Sequence, residues 1–247
     1  MDRPTLLKTL QLDSFIALDF ETTGLQPEVD RVIEVAAILF KDGEPADRYT
    51  TLVNPGIPIP ELIEKITGIT NNMVADAPSE SIIIDEFFQF MEDIPIVAHN
   101  TPFDLAYLEA MADRHDKKLP DRKYYDTLTL SRGMLYFQPA HNLSAVSDYF
   151  SLSTEGAHRA ESDTENCGQI FVELIEEASS YSLDLISRIV ALLKPFQVHN
   201  KELFINLANA LTKTGDLKNG LTESKIQKPT NINVLSLIHI SEPTRRT

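Results

Sequence analysis

Short apolar runs, cut by turn residues, mark the first half of the chain. Phe15-Ile16-Ala17-Leu18 is one such run and has the length of a buried strand. Val32 to Phe40 is a second, and Tyr49 to Val53 a third. Lys41 to Glu44 (KDGE) joins the second and third as a hairpin turn. Pro-rich Asn54 to Pro60 then breaks the pattern. Glu61 to Ile66 and Ser79 to Met91 read as helices, the latter with Ile83, Phe87 and Phe90 on a buried side. Pro95 to Ala98 is a fourth strand. After a turn at His99-Asn100, Pro102 suits the first turn of a helix that spaces Phe103, Ala106, Tyr107, Ala110 and Met111 on one face. Lys123 to Asp126 is a fifth strand, leading into a helix over Thr127 to Met134. Asn142 to Tyr149 and Ala160 to Glu177 are further helices. Three antiparallel strands followed by strand–helix units predict an α/β fold: a mixed five-stranded sheet flanked by helices.

Beyond Glu177 the pattern changes. Leu183 to Leu193 and Glu202 to Leu211 are amphipathic helix candidates, a short helical C-terminal extension. Thr212 to Asn233 is polar, as in a linker or disordered end. Ser236 to Thr247 (SLIHISEPTRRT) has the look of translated sequencing adapter, which implies a native gene that continues further. The expected organisation is a core domain over 1–180, an extension over 181–211, a polar stretch over 212–235 and a non-native tail over 236–247.

The chemistry concentrates in three places. Asp19 and Glu21 follow the first apolar run at alternate positions, so both side chains leave one face of the strand. Two close carboxylates repel unless a cation lies between them. Thr22-Thr23-Gly24 then ends the strand in a turn. Asp104 falls in the first turn of the helix after the fourth strand, where the helix dipole favours an anion. His158 lies in a loop five residues before Asp163, which opens the helix from Ala160. Each residue taken alone also reads as a solvated acid, a dipole partner or a surface histidine. His99 reads as a hydrogen-bonding turn residue and Phe103 as core.

Together, "DFETTGL", "HNTPFDLAYL" and "HRAESD" resemble the DnaQ-like 3′–5′ exonucleases, the DEDDh branch of the RNase H-like superfamily. The resemblance spans roughly Asp13 to Glu177 and includes "ITGIT" (Ile66 to Thr70). A sister branch carries Tyr four residues before the last Asp. Here that position is Arg159, with His158 beside it, which indicates the histidine branch. The resemblance implies that Asp19, Glu21, Asp104 and Asp163 hold two divalent ions, Mg²⁺ or Mn²⁺, with His158 as general base. A histidine's ordinary pKa near 6.5 suits that role. It implies contacts to the terminal nucleotide from Thr22, Thr23, Gly24 and Leu25, with Asn100 and Phe103 lining the cleft. The implied substrates are single-stranded nucleic-acid 3′ ends, DNA favoured. The arrangement also resembles the exonuclease end of a DinG-type helicase, so helicase or polymerase machinery is an expected partner. No G-x-x-x-x-G-K-[ST] phosphate loop occurs in the chain. Two other readings fit the same motifs: a catalytically silent interaction module of a replication or repair machine, and an RNA-specific exonuclease of this fold.

Composition bears on this in two ways. A single cysteine, Cys167, excludes an internal disulfide, and no run is apolar enough to span a bilayer; a cytoplasmic enzyme is expected. The net charge of −15 opposes nucleic-acid binding. It is also uneven: residues 178–247 hold nine Lys+Arg against five Asp+Glu, leaving 13 against 32 in residues 1–177. Two bound cations would offset part of that repulsion, and substrate affinity should be weak and salt-sensitive.

Overall fold

A computed structural model describes residues 1–152 and 160–215. Strands β1 (Ser14–Thr22), β2 (Val32–Lys41) and β3 (Glu44–Leu52) form an antiparallel meander. β4 (Ile96–Ala98) pairs parallel to β1, and β5 (Tyr124–Asp126) parallel to β4. The order is β3-β2-β1-β4-β5, the mixed five-stranded sheet that the sequence pattern predicts. Between β2 and β3 only Asp42 and Gly43 turn the chain, at φ 53° and 90°. Both are left-handed, the conformation a two-residue hairpin needs to match strand twist.

β1 is central and buried on both faces, which explains its unbroken apolar run. Phe15 and Ala17 enter a cluster with Ile38, Phe40 and Phe171. Ile16, Leu18 and Phe20 enter another with Phe87, Tyr107 and Met111. The first cluster lies under helix α8 (Ala160–Ser179), and the second under α4 (Glu80–Met91) and α5 (Thr101–Arg114). β3 starts five residues earlier than its apolar content indicates. Its first half is polar and largely exposed, so it lacks a hydrophobic signal even though its backbone is paired.

Two short helices have no periodic signal and were not anticipated: α1 (Arg3–Thr9) and α3 (Asn71–Val74). α1 is capped by Asp2, whose carboxylate accepts from the Thr5 amide at 2.9 Å. Leu6 and Leu7 go into the core, and Arg3 clamps Glu173 and Glu176 of α8 at 2.9 and 2.8 Å. The remaining helices are α2 (Glu61–Thr67), α6 (Thr127–Met134), α7 (Leu143–Tyr149), α9 (Leu183–Leu193) and α10 (Lys201–Gly215). The helical extension shares the main core. Ile186, Ile189 and Leu193 of α9 and Leu203, Phe204 and Leu207 of α10 are buried in the same cluster as Leu174, Ile175 and Ala178 of α8. Residues 216–247, with the expected end of the linker and the expected non-native tail, lie outside the described residues. Among the described residues no helix is long and apolar enough to cross a membrane.

α8 approaches the sheet closely at one glycine. A Cβ on Gly168 would stand 2.2 Å from Cε2 of Phe40, whose ring stacks on Phe15 at 4.9 Å. Neither ring can retreat, because Phe15 is braced edge-on by Phe171 at 5.3 Å. Gly168→Ala should therefore destabilise the fold by about 1–3 kcal/mol, the usual cost of overpacking. Thermal melts would check this, and adding Phe40→Leu should recover part of the loss.

Candidate active site

β1 delivers two acids to the end of the sheet. Asp19 and Glu21 lie on the α8 side, continuing the row of Phe15 and Ala17. Each is only 8% exposed. Opposite Glu21 on β2 stands Glu34, a further buried acid that the motifs do not single out. The β1–β2 register shifts between Glu21 and Thr22, so regular pairing stops where the acids end.

Asp104 reaches the same place from the other side. β4 pairs with β1 only at Ile16 and Ala17, so the edge of β1 beyond Ala17 lacks a strand neighbour. A buried backbone N–H must find an acceptor. Asp104, 1% exposed and in the first turn of α5, supplies it: its Oδ1 accepts from the Phe20 amide at 3.2 Å. Phe20 lies between Asp19 and Glu21, so this bond ties Asp104 to the segment of β1 that carries both acids.

Asp163 sits in the first turn of α8 and is half-buried. It precedes Cys167 by four residues, one helical turn on the same face. The Cys167 thiol is fully buried, and its pKa is raised, mainly by burial and further by the charges of Asp19, Asp104 and Asp126. The start of α8 is tied across the sheet by Arg48 of β3, which pairs with Glu161 and approaches Glu165 to 3.9 Å. The N-terminal turn of α8 is thus tied to β3 at the level of Ala17, two residues before Asp19 on β1. His158 lies outside the described residues. Among the described residues no group of three or more His, Cys, Asp and Glu is arranged so that it could hold a metal ion.

The residues assigned by resemblance to the terminal nucleotide divide. Thr22 Oγ1 donates to the Gly24 carbonyl at 2.7 Å. Thr23 Oγ1 donates to Asp30 at 3.3 Å and accepts from the Arg31 amide at 3.0 Å. The Gly24 carbonyl also accepts from Tyr107 Oη at 2.9 Å, and a Cβ on Gly24 would collide with the Asp30 carboxylate at 2.3 Å. These three residues build the loop. Leu25, 52% exposed, presents its side chain outward. Asn100 is left-handed at φ 83°, and its buried Oδ1 takes no hydrogen bond among the described residues. Phe103 is half-buried against Tyr107, with ring centroids 5.1 Å apart, so it is both core and surface.

His99 is the hydrogen-bonding turn residue its context predicts. One ring nitrogen meets Thr127 Oγ1 and the other donates to the His141 carbonyl, both at 2.9 Å. Asp126, at the end of β5, escaped the motif reading. Its Oδ1 accepts from the amides of Asn100 (2.9 Å), Leu128 (3.1 Å) and Thr101 (3.4 Å). Burial raises its pKa, and these donors oppose the rise.

The mixed five-stranded sheet, with Asp19 and Glu21 at the end of its central strand, is the fold that the resemblance implies. Residues 16–171 match the exonuclease family model RNase_T, and the chain belongs to that family. It is 32% identical over 196 residues to the 3′-5′ exonuclease DinG of Bacillus subtilis (strain 168), covering 78% of this chain and 21% of that protein. It is 34% identical over 224 residues to the PolC-type DNA polymerase III of Thermotoga petrophila, covering 83% of this chain and 16% of that protein. The chain therefore spans only 16–21% of the length of these relatives. Among solved structures, the nuclease domain of 3′hExo, a DEDDh family member bound to rAMP, shares the fold. The TM-score is 0.57 at 21% identity, over 67% of this chain and 92% of that one.

Proposed function

We propose that this chain is a metal-dependent 3′–5′ exonuclease domain. It hydrolyses phosphodiesters at nucleic-acid 3′ ends, DNA favoured, and releases nucleoside 5′-monophosphates. The observation that supports this reading is the Phe20 amide–Asp104 bond, which ties a buried acid to the residue between Asp19 and Glu21 on the central strand. Hard carboxylate oxygens are the donors that Mg²⁺ and Mn²⁺ take. Asp19, Glu21, Asp104 and Asp163 would hold two such ions, which supply charge stabilisation to the attacking and leaving oxygens of an in-line displacement.

The chain's own groups do the rest. Asp19 and Glu21 are fixed by strand geometry, and Asp104 by its backbone donor, so little reorganisation is needed on reaction. His158 accepts the proton from the attacking water. Leu25 offers an apolar surface to the terminal base, and Asn100 and Phe103 border the cleft. The acidic surface leaves substrate affinity dependent on the cations and on salt. The polymerase name of one relative supports a DNA substrate and a place within a larger DNA-processing machine in the cytoplasm.

Matched DNA and RNA single strands, each incubated with Mg²⁺, Mn²⁺ or excess EDTA, test the proposal. Shortening of the DNA strand should require a divalent ion and stop in EDTA. Undiminished cleavage in excess chelator would sink the metal-dependent reading. Preference for the RNA strand would overturn the choice of DNA and favour the RNA-specific alternative.

A further inference from the structure

We infer that the C-terminal helical pair belongs to the catalytic apparatus: Asn200, through Asp126, is a positioning residue for Asp104. The inference rests on the reading of Asp104 as a metal-holding acid. Asn200 immediately precedes α10, is 2% exposed, and lies outside the 16–171 family match. Its amide grips both backbone groups of Asp126, as a neighbouring strand would. Oδ1 accepts from the Asp126 amide at 3.0 Å, and Nδ2 donates to the Asp126 carbonyl at 2.9 Å. Nδ2 also donates to Thr129 Oγ1 at 2.7 Å. β5 is the last strand of the sheet, so its outer backbone groups need a partner from elsewhere.

Asp126 passes the constraint on. Its carboxylate takes the amides of Asn100 and Thr101, the turn that launches α5. Thr101 adds a second tie, donating from Oγ1 to the Tyr125 carbonyl at 2.6 Å. Three residues later Asp104 meets the Phe20 amide. Hydrogen bonds, joined by the first turn of α5, therefore link Asn200 to Asp104 and on to the amide of the residue between Asp19 and Glu21. Groups that orient metal-holding residues typically matter by 10–100-fold in metal affinity or activity, and misplacement by about 1 Å can cost about 10²-fold in rate.

The test uses the full chain as wild type, Asn200→Ala and Arg3→Ala. Four quantities are read: kcat and KM on a 3′-ended DNA strand, Mn²⁺ affinity by calorimetry without substrate, and the melting temperature. Asn200→Ala should lose about 10–100-fold in kcat with KM little changed, and bind Mn²⁺ about 10-fold more weakly. Arg3→Ala breaks the α1–α8 clamp and should lower the melting temperature alone. Wild-type kcat and Mn²⁺ affinity in Asn200→Ala, at a lowered melting temperature, would show a merely structural role and overturn the inference. Should Asn200→Ala not fold, Asn200→Asp, which keeps the acceptor and loses the donor, carries the same criteria. A wild type inactive on every strand would defeat the proposed function, and Mn²⁺ affinity would still judge the positioning.

Discussion

Asp19→Ala is expected to lose at least about 10²-fold in turnover, the size of other single electrostatic terms in catalysis, while its far-ultraviolet spectrum stays that of the wild type. The side chain is at the end of β1, past the parallel pairing with β4, and its removal leaves the apolar row of Phe15 and Ala17 intact. Asp104→Asn sharpens the point. The amide can still accept from the Phe20 N–H, so the local fold survives and only the charge is lost. A comparable fall in turnover is expected there. His158→Ala should cost roughly 10²–10⁴-fold, the range of a positioned acid–base group, and leave Mn²⁺ binding largely in place, since the four carboxylates remain. Single-turnover kinetics on a 3′-ended strand would read all three. Near-wild-type rates in Asp19→Ala or Asp104→Asn would remove the acids from the chemistry.

Truncation after Ser180 is expected to abolish cooperative folding. It deletes α9 and α10, and with them Ile186, Ile189, Leu193, Leu203, Phe204 and Leu207, all buried in the cluster that α8 closes. Full burial of such a side chain is worth about 1.5–3 kcal/mol. Six of them rival the whole net stability of a typical domain, about 5–15 kcal/mol. The cut also leaves the outer edge of Asp126 without Asn200. A thermal melt of residues 1–180 should show no sharp transition. A cooperative transition within a few degrees of the full chain would mean that the extension is dispensable.

That expectation departs from the boundary near residue 180, and the reason is instructive. The boundary follows the last motif-bearing helix, whereas the core does not stop there. Amphipathic spacing over Leu183 to Leu193 marks a helix but does not say which neighbour its apolar face covers. The same limit applies to the loop after β1. The alternation of Asp19 and Glu21 gives their shared face outright, because the strand period is two. Nothing local says that the Thr23 hydroxyl bonds to Asp30 and to the Arg31 amide. Asp126 is a harder case. In sequence it is the last residue of a short strand; its role depends on amides 25 and 26 residues earlier and an amide group 74 residues later. α1 escaped because a seven-residue helix with two buried leucines carries too little periodicity to register.

The most direct test of the central claim is the polarity of digestion, followed with one DNA strand labelled at its 3′ end and another at its 5′ end, both in Mn²⁺. The acid site predicts that the 3′ label appears first as a nucleoside 5′-monophosphate, while the 5′-labelled strand shortens in single-nucleotide steps. Asp19→Ala should abolish both patterns. Early release of the 5′ label, or the same ladder from Asp19→Ala, would contradict the account.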